Sequence, residues 1–170
     1  MIRTVRAEDA PALAEIYNHY IVNSPATFEE RVLEVDELRQ RIETVTGMGL
    51  PWLVAEAASR VVGYAYANRW RDRSAYRYSV ESTVYLDPQH IGEGWGAALY
   101  SSLFDGLRTS GVHAVLAGIT LPNPASVALH EKMGMRKVAH LHEVGYKQGQ
   151  WLDVGYWQLV LDGSVPGSPE

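Results

Sequence analysis

The chain has 170 residues, enough for one domain with a substantial core but too few for two ordinary domains. Its formal net charge of −5 disfavours nucleic acid and anionic membranes as partners, because neither would be attracted electrostatically. The sequence contains no cysteine, which excludes disulfides, thiolate metal ligands and a cysteine nucleophile.

No segment has the pattern of a secretion signal or a membrane span. The first residues lack a long apolar run, and no stretch of about 18 apolar residues occurs. We therefore expect a soluble, cytoplasmic protein without a membrane partner. One domain is predicted over residues 1–162, and the Gly-, Pro- and Ser-rich residues 163–170 are predicted to form a flexible tail.

Apolar periodicity divides the first half of the chain into two helices and four strands. The helices are predicted over 8–21 and 35–45, where apolar residues recur at helical spacing. The strands are predicted over 2–6, 52–58, 61–67 and 79–86, with a hairpin turn at Ser59 and Arg60.

Helices and strands alternate in the second half. A helix is predicted from Ala97 to near Gly111, and another from Asn123 to Gly134, with Asn123 as its cap and Pro124 at its first position. Strands are predicted over 112–120, 135–144 and 151–161. The order βααβββαβαββ indicates a single α/β domain whose sheet is partly antiparallel.

A glycine-rich turn, Gly92-Glu93-Gly94-Trp95-Gly96, joins a predicted strand to a predicted helix. Such a turn can bring several main-chain N–H groups against a phosphate at the start of the helix. The turn therefore predicts a phosphorylated cofactor, although glycines also form tight turns for structural reasons alone.

The strand before this turn carries a candidate general base. Alternation places Glu81, Thr83 and Tyr85 on one face. A partly buried carboxylate with a raised pKa could accept a proton close to a bound cofactor. The alternative is that Glu81 pairs with an arginine on a solvated face.

Histidines supply further candidates. Helical spacing places Asn123, Ser126 and His130 along one stripe, and imidazole can transfer protons near neutral pH. A structural role for His130 is the alternative. His140 and His142 alternate on a strand, but no third ligand follows at suitable spacing, so no metal site is predicted.

A basic segment, residues 69–77, contrasts with the acidic chain. It contains four arginines, whose planar forks suit carboxylates and phosphorus oxyanions. The segment could bind a substrate with two acidic groups or be a solvated loop, and the global charge disfavours RNA contact.

Together, the glycine turn, residues 123–134 and the order of elements resemble the GNAT family of N-acetyltransferases over nearly the whole chain. The resemblance implies a mixed, mostly antiparallel sheet of about seven strands flanked by helices. Within that family, six stretches resemble phosphinothricin and methionine sulfoximine N-acetyltransferases: residues 18–20, 51–56, 81–85, 121–123, 130–131 and 153–159.

This resemblance implies direct transfer of an acetyl group from acetyl-CoA to the α-amino group of a small acidic amino acid or analogue, such as phosphinothricin, methionine sulfoximine or methionine sulfone. It also favours a homodimer. Glu81 and His130 match residues with proton-transfer roles. Substrate contacts are implied for Phe28, Arg71, Arg73, Tyr76 and Thr83. Cofactor contacts are implied for Val84, Tyr85, Leu86, Gly92, Glu93, Gly94, Trp95, Gly96, Ala97, Asn123 and Ser126.

Two positions depart from the family pattern. Ile91 stands where the wider family usually has Gln or Arg at the start of the phosphate loop, but main-chain N–H groups are expected to preserve the loop. His130 stands where many members have a Tyr that protonates the leaving thiolate. The direction of proton transfer at His130 is therefore left open.

Other functions are compatible with the same motifs. Acetylation of a protein N-terminus or an aminoglycoside would use the same cofactor, although the basic segment disfavours a polycationic substrate. A non-catalytic sensor of acetyl-CoA would keep the glycine turn but would need neither Glu81 nor His130.

Overall fold

Residues 1–161 are the part of the chain that the computed structural model describes. The predicted tail, residues 163–170, lies outside them. The strands are β1 (Ile2–Thr4), β2 (Trp52–Ala57), β3 (Arg60–Arg69), β4 (Ser79–Leu86), β5 (Ala114–Leu121), β6 (Arg136–Lys147) and β7 (Gln150–Val160). The α-helices are α1 (Ala10–Asn23), α2 (Val35–Gly47), α3 (Trp95–Thr109) and α4 (Pro124–Lys132).

These seven strands form one sheet in the order β1-β2-β3-β4-β5-β7-β6. Only β4 and β5 are parallel neighbours, and the other neighbours are antiparallel. The predicted mixed, mostly antiparallel sheet is thus confirmed. The β4–β5 ladder pairs Ser79–Glu81 with Ala114–Leu116 and goes no further, so the two strands separate within the sheet.

Two apolar clusters cover the opposite faces of the sheet. Neighbouring residues of a strand point to opposite faces, and Val54 and Ala55 of β2 belong to different clusters. Helices α1 and α2 pack on the face that Val54 shares with Tyr64. The other face is covered by the apolar stripe of α3, Leu99, Leu103 and Leu107, at the four-residue spacing that places side chains on one side of a helix.

The element boundaries differ slightly from the predicted ones. The β2–β3 hairpin turns at Ala58 and Ser59, both with left-handed φ, one residue earlier than expected. Strand β6 continues to Lys147 and α3 begins at Trp95. None of the helices described in residues 1–161 has the length and apolar character that crossing a membrane requires.

Candidate active site

A cavity of about 680 Å³ opens where β4 and β5 separate. We call the segment 86–97 the loop wall; the residues of this segment that line the cavity are Leu86, Ile91, Gly92, Gly94, Gly96 and Ala97. The sheet wall is formed by Thr27, Phe28, Glu81, Thr83, Gly118 and Tyr156, and α3 and α4 supply most of the remaining lining, including Tyr100, Asn123, Ser126 and His130.

The open edge of β4 presents main-chain hydrogen-bonding groups to this cavity. Trp70 N–H donates to Ser79 O and Asp87 N–H donates to Val62 O, which places the odd-numbered residues of β4 in the ladder with β3. Antiparallel alternation then directs the N–H groups of Val84 and Leu86 towards the side that β5 has left. Of the residues predicted to bind cofactor along this strand, Tyr85 lies in the cavity wall but bonds to β3 through its main chain.

The loop wall depends on two glycines with left-handed backbone. Gly92 has φ 87° and Gly94 has φ 89°, and a Cβ at either position would have no neighbour within 4 Å. Their conformation, and not lack of space, therefore requires glycine. Gly94 is also the N-cap of α3 and provides no side-chain acceptor, so the N–H groups of the first turn are free to bind an anion.

Not every side chain of the glycine turn reaches the cavity. Trp95 Nε1–H donates to Glu93 Oε2 at 3.0 Å, and the same oxygen contacts His90 Nδ1 at 3.0 Å. The bond to His90 lowers the pKa of Glu93. Glu93 and Trp95 are therefore the two residues of the turn that do not line the cavity.

Asn123 caps α4, as the sequence predicts. Its side-chain oxygen accepts a hydrogen bond from Ser126 N–H at 3.1 Å, and Pro124 occupies the first helical position. The cap fixes the start of α4 beside the cavity, which both Asn123 and Ser126 line.

Glu81 is a half-buried carboxylate in the sheet wall. Burial raises the pKa of Glu81, and a hydrogen bond from the Gly118 N–H acts in the opposite direction. No ion pair involves Glu81 in the described part of the chain, so the predicted alternative of an arginine partner is not observed. A Cβ at position 118 would lie 3.2 Å from Glu81 Oε1 and 3.3 Å from the Tyr156 ring, so glycine keeps this space open.

His130 is buried, with 4% of its surface exposed, and both its ring nitrogens have protein partners. Nδ1 lies 2.7 Å from the Ser126 carbonyl, which can only accept, so Nδ1 carries the proton. Nε2 then accepts the Tyr100 hydroxyl at 2.8 Å. Burial lowers the pKa of His130, which favours the neutral imidazole that this arrangement needs.

Tyr100 lines the cavity and lies in the helix predicted from Ala97, but it is not among the predicted site residues. Its ring is fully buried and stacks on Phe104, but its hydroxyl reaches His130 from the neighbouring helix. Burial raises the pKa of Tyr100. The one sequence signal for this contact is general: a buried tyrosine needs a hydrogen-bond partner.

Lys147 holds the segment that carries Phe28. Its side chain is buried, and Nζ donates to Ser24 O at 2.9 Å and to Thr27 O at 2.7 Å. The Phe28 ring packs on Gly145, where a Cβ would lie only 2.3 Å from it. Two positions of β6 thus fix this part of the sheet wall, and sequence reasoning identified neither of them.

The predicted substrate contacts divide between the cavity and its margin. Phe28 and Thr83 line the cavity, whereas Arg71, Arg73 and Tyr76 lie on the exposed segment between β3 and β4 and do not. Burial and the charge of Glu81 raise the pKa of Tyr156 in the sheet wall, and the charge of Arg71 acts in the opposite direction.

Most predicted cofactor residues are brought together. The cavity lining contains the following predicted cofactor and catalytic residues: Glu81, Val84, Tyr85, Leu86, Gly92, Gly94, Gly96, Ala97, Asn123, Ser126 and His130. It also contains residues that were not predicted, among them Tyr20, Thr27, Tyr100, Gly118, Thr120, Val154 and Tyr156. These come from separate elements, so only the packing of the chain reveals that they share a cavity.

Comparison with known proteins agrees with this geometry. A family model described as an acetyltransferase (GNAT) domain matches residues 2–155. The chain is 39% identical over 161 residues to an L-methionine sulfoximine/L-methionine sulfone acetyltransferase of Salmonella typhimurium, covering 95% of this chain and 94% of the relative. It is also 39% identical to a phosphinothricin N-acetyltransferase of Streptomyces viridochromogenes, covering 99% and 91% of the two chains.

A solved structure shows the same fold. An acetyltransferase of Salmonella typhimurium, determined with its cofactor acetyl-CoA, superposes with a TM-score of 0.95 at 38% identity. The match covers 99% of this chain and 98% of that one. The similarity therefore extends over nearly the whole of both chains, and that structure was determined with acetyl-CoA.

Proposed function

This chain belongs to the GNAT family of acetyltransferases, and within it we propose a transferase that moves the acetyl group of acetyl-CoA to the α-amino group of a small acidic amino acid or analogue. Phosphinothricin, methionine sulfoximine and methionine sulfone are the proposed substrates, since relatives at 39% identity carry those names. The observation that carries the proposal is Glu81, a half-buried carboxylate without an ion-pair partner among residues 1–161, in the cavity where β4 and β5 separate.

The loop wall fits the phosphate groups of acetyl-CoA. Gly92 and Gly94 turn the chain so that the uncapped N–H groups at the start of α3 face an anion, and this contact uses no side chain. For the same reason, Ile91 in place of the usual Gln or Arg is compatible with binding. The main-chain N–H and carbonyl of Val84 and the N–H of Leu86 fit an amide-containing arm that would lie along β4, whereas the Leu86 carbonyl already accepts the Tyr20 hydroxyl at 2.7 Å.

Glu81 is proposed to accept the proton of the substrate ammonium. An α-amino group with a pKa of about 8 is mostly protonated at neutral pH and cannot attack a thioester until it loses a proton. Burial raises the pKa of Glu81, which makes its carboxylate a stronger base than an exposed glutamate. The proton passes to Glu81 directly or through a water molecule, and the free amine attacks without an acyl-enzyme step.

Developing charge is proposed to be stabilised at two places. The N–H groups of Val84 or Leu86 face the cavity and suit a negative carbonyl oxygen, a contribution often worth about 3 kcal/mol. The leaving thiolate needs a proton, and we propose that the Tyr100 hydroxyl donates it by turning its hydrogen from His130 Nε2 to the sulfur. The tyrosinate then takes up a proton from the solvent that enters as CoA leaves. His130 orients that hydroxyl through Nε2, which makes the neutral imidazole a positioning residue.

The sheet wall is proposed to select the amino-acid substrate. Phe28, Thr83 and Tyr156 line the same cavity as Glu81 and can contact the part of the substrate that carries the amine. Arg71 and Arg73 lie at the margin, where they can attract a substrate with two acidic groups. The basic segment therefore acts on substrate capture more than on the chemical step.

A thiol-release assay tests this proposal. The chain is incubated with acetyl-CoA and one amine at a time: phosphinothricin, methionine sulfoximine, methionine sulfone, common amino acids, an aminoglycoside and a peptide N-terminus. We expect release of free CoA with the acidic analogues, and much less with the aminoglycoside. Release with the peptide or the aminoglycoside alone would replace the proposed substrate class with one of the two rival classes.

The same assay separates catalysis from sensing. A non-catalytic module would bind acetyl-CoA in calorimetry and release no thiol with any amine, whereas the proposed enzyme does both. A homodimer and a cytoplasmic location also belong to this proposal, and sedimentation of the purified chain measures the first of them.

A further inference from the structure

Strands β6 and β7 bring three potential metal ligands together outside the cavity. His140 Nε2 lies 2.7 Å from Asp153 Oδ2, and His142 Nδ1 lies 3.3 Å from the same oxygen. The ligand atoms of these residues all lie within 4.8 Å of one another. The sequence offered two alternating histidines and no third ligand, and the partner strand β7 supplies it.

An interruption of the β6–β7 ladder positions the carboxylate. The register shifts between Leu141 and Gly145, and Glu143 within that shift has a left-handed φ of 48°. Glu143 N–H donates to Asp153 Oδ1 at 2.8 Å. One carboxylate oxygen is therefore held by the main chain, and the other is directed at the two imidazoles.

We propose that His140 Nε2, His142 Nδ1 and Asp153 Oδ2 bind a divalent transition ion, for which Zn²⁺ is the probe. Two ligand atoms that are each about 2.1 Å from a shared ion lie roughly 3.0–3.4 Å apart. The two distances to Asp153 Oδ2 already lie near that range. Two imidazoles with one carboxylate suit Zn²⁺, Ni²⁺ or Cu²⁺ better than Mg²⁺ or Ca²⁺, and the exposed position leaves room for water ligands.

A neighbouring lysine competes with the ion. Lys137 Nζ lies 2.9 Å from His140 Nδ1, and an ammonium can only donate, so Nε2 carries the imidazole proton and donates it to Asp153. Metal binding at Nε2 requires the other neutral tautomer, in which the imidazole proton leaves Nε2 and Nδ1 takes one up from solvent. Because Nδ1–H can no longer accept from the ammonium, the exposed Lys137 side chain has to turn away. Removal of the lysine should therefore strengthen metal binding.

Calorimetric titration of the full chain, without a histidine tag, with ZnCl₂ at neutral pH tests the site. We expect one ion per chain, at least about tenfold weaker binding in His142→Gln and Asp153→Asn, and tighter binding in Lys137→Met. Asparagine keeps the Oδ1 acceptor for Glu143, and circular dichroism checks that each variant is folded. His113→Gln is the control, because it removes an exposed histidine on another part of the surface.

The second measurement is the effect of Zn²⁺ on the thermal unfolding midpoint. An ion that joins β6 to β7 should raise Tm in the wild type and in His113→Gln, and not in Asp153→Asn. Absence of Zn²⁺ binding by the wild type would overturn the proposal, as would equal affinities in His142→Gln, Asp153→Asn and the wild type. The inference does not depend on acetyl transfer, so these outcomes leave the proposed function unaffected.

Discussion

The loop wall and the sheet wall of the cavity are built in different ways. The loop wall is one continuous segment, residues 86–97, and its free hydrogen-bonding groups belong to the main chain. The sheet wall combines side chains from β4, β7 and the segment after α1, together with Gly118 of β5. The loop wall should therefore tolerate many side chains but depend on its glycines, whereas the sheet wall should depend on individual side chains.

Glu81→Gln should have the largest effect, since it removes the proposed base and leaves the loop wall intact. We expect kcat/KM to fall about 10²- to 10⁴-fold at neutral pH, with a smaller loss at high pH, where the substrate amine deprotonates without help. The affinity for acetyl-CoA should not change. A pH–rate profile parallel to that of the wild type would exclude Glu81 as the base.

The thermal stability of Glu81→Gln provides an independent check on the raised pKa of Glu81. Because the pKa of Glu81 is raised in the folded state, its ionised form is disfavoured there, and this cost is present once pH rises above both the unfolded and the folded pKa. Glu81→Gln should therefore raise Tm at neutral pH, measured against the wild type by thermal unfolding. The gain should disappear below the unfolded pKa of about 4, where both states are protonated.

Gly94→Ala should distort the loop wall and leave the sheet wall intact. An alanine with left-handed φ costs about 1–2 kcal/mol, which corresponds to roughly a 5- to 30-fold loss of acetyl-CoA affinity if the strain is relieved by moving the loop. The KM of the amino substrate should change little. Gly47→Ala at the end of α2 is the matched control, because no neighbour lies within 4 Å and its φ is not left-handed. Equal calorimetric affinities in both variants would refute this role of the loop.

Tyr100→Phe keeps the stacked ring and removes the hydroxyl. If this hydroxyl protonates the leaving thiolate, kcat should fall about tenfold or more, with both KM values nearly constant. Phe104→Leu, which alters the stacked neighbour without touching the hydroxyl, is the control. A pre-steady-state burst of thiol release together with an unchanged kcat in Tyr100→Phe would show that another group protonates the thiolate.

Lys147→Met should destabilise the segment of the sheet wall that carries Thr27 and Phe28. It leaves the carbonyls of Ser24 and Thr27 without their buried donor, a loss of about 1–3 kcal/mol per group. We expect the amino-substrate KM to rise about tenfold, with the acetyl-CoA affinity retained. Lys137→Met, an exposed lysine of the same strand, is the control for both kinetics and unfolding. A drop in stability with unchanged KM would make Lys147 purely structural.

Arg73→Ala should have the smallest effect. Exposed charges typically contribute about 0.2–1 kcal/mol, so the KM of an acidic substrate should rise by no more than about fivefold, and the rise should shrink in high salt. Arg60→Ala at the β2–β3 hairpin is the matched control. An unchanged KM in Arg73→Ala would remove this residue from substrate capture.

Local signals allowed much of the architecture to be predicted. Helix α4 begins where Asn123 and Pro124 predict it, because a cap and a fixed proline φ act within a few residues. The hairpin turn lies one residue before its predicted position. Both Ala58 and Ser59 adopt a left-handed φ, which is uncommon for alanine and serine and was therefore not predicted. The resemblance supplied the predicted proton-transfer and cofactor residues, and the cavity lining contains both predicted proton-transfer residues, Glu81 and His130, and most of the predicted cofactor residues.

The sequence by itself determined the order of elements, the family and the glycine turn, because periodicity, caps and turn residues express short-range physics. Tertiary structure alone decided that Tyr100 meets His130, that Lys147 reaches back to Ser24 and Thr27, and that Asp153 joins His140 and His142. These contacts join residues that are far apart in the chain or lie on different strands. Their hydrogen bonds and burial exist only after the sheet has brought its strands together.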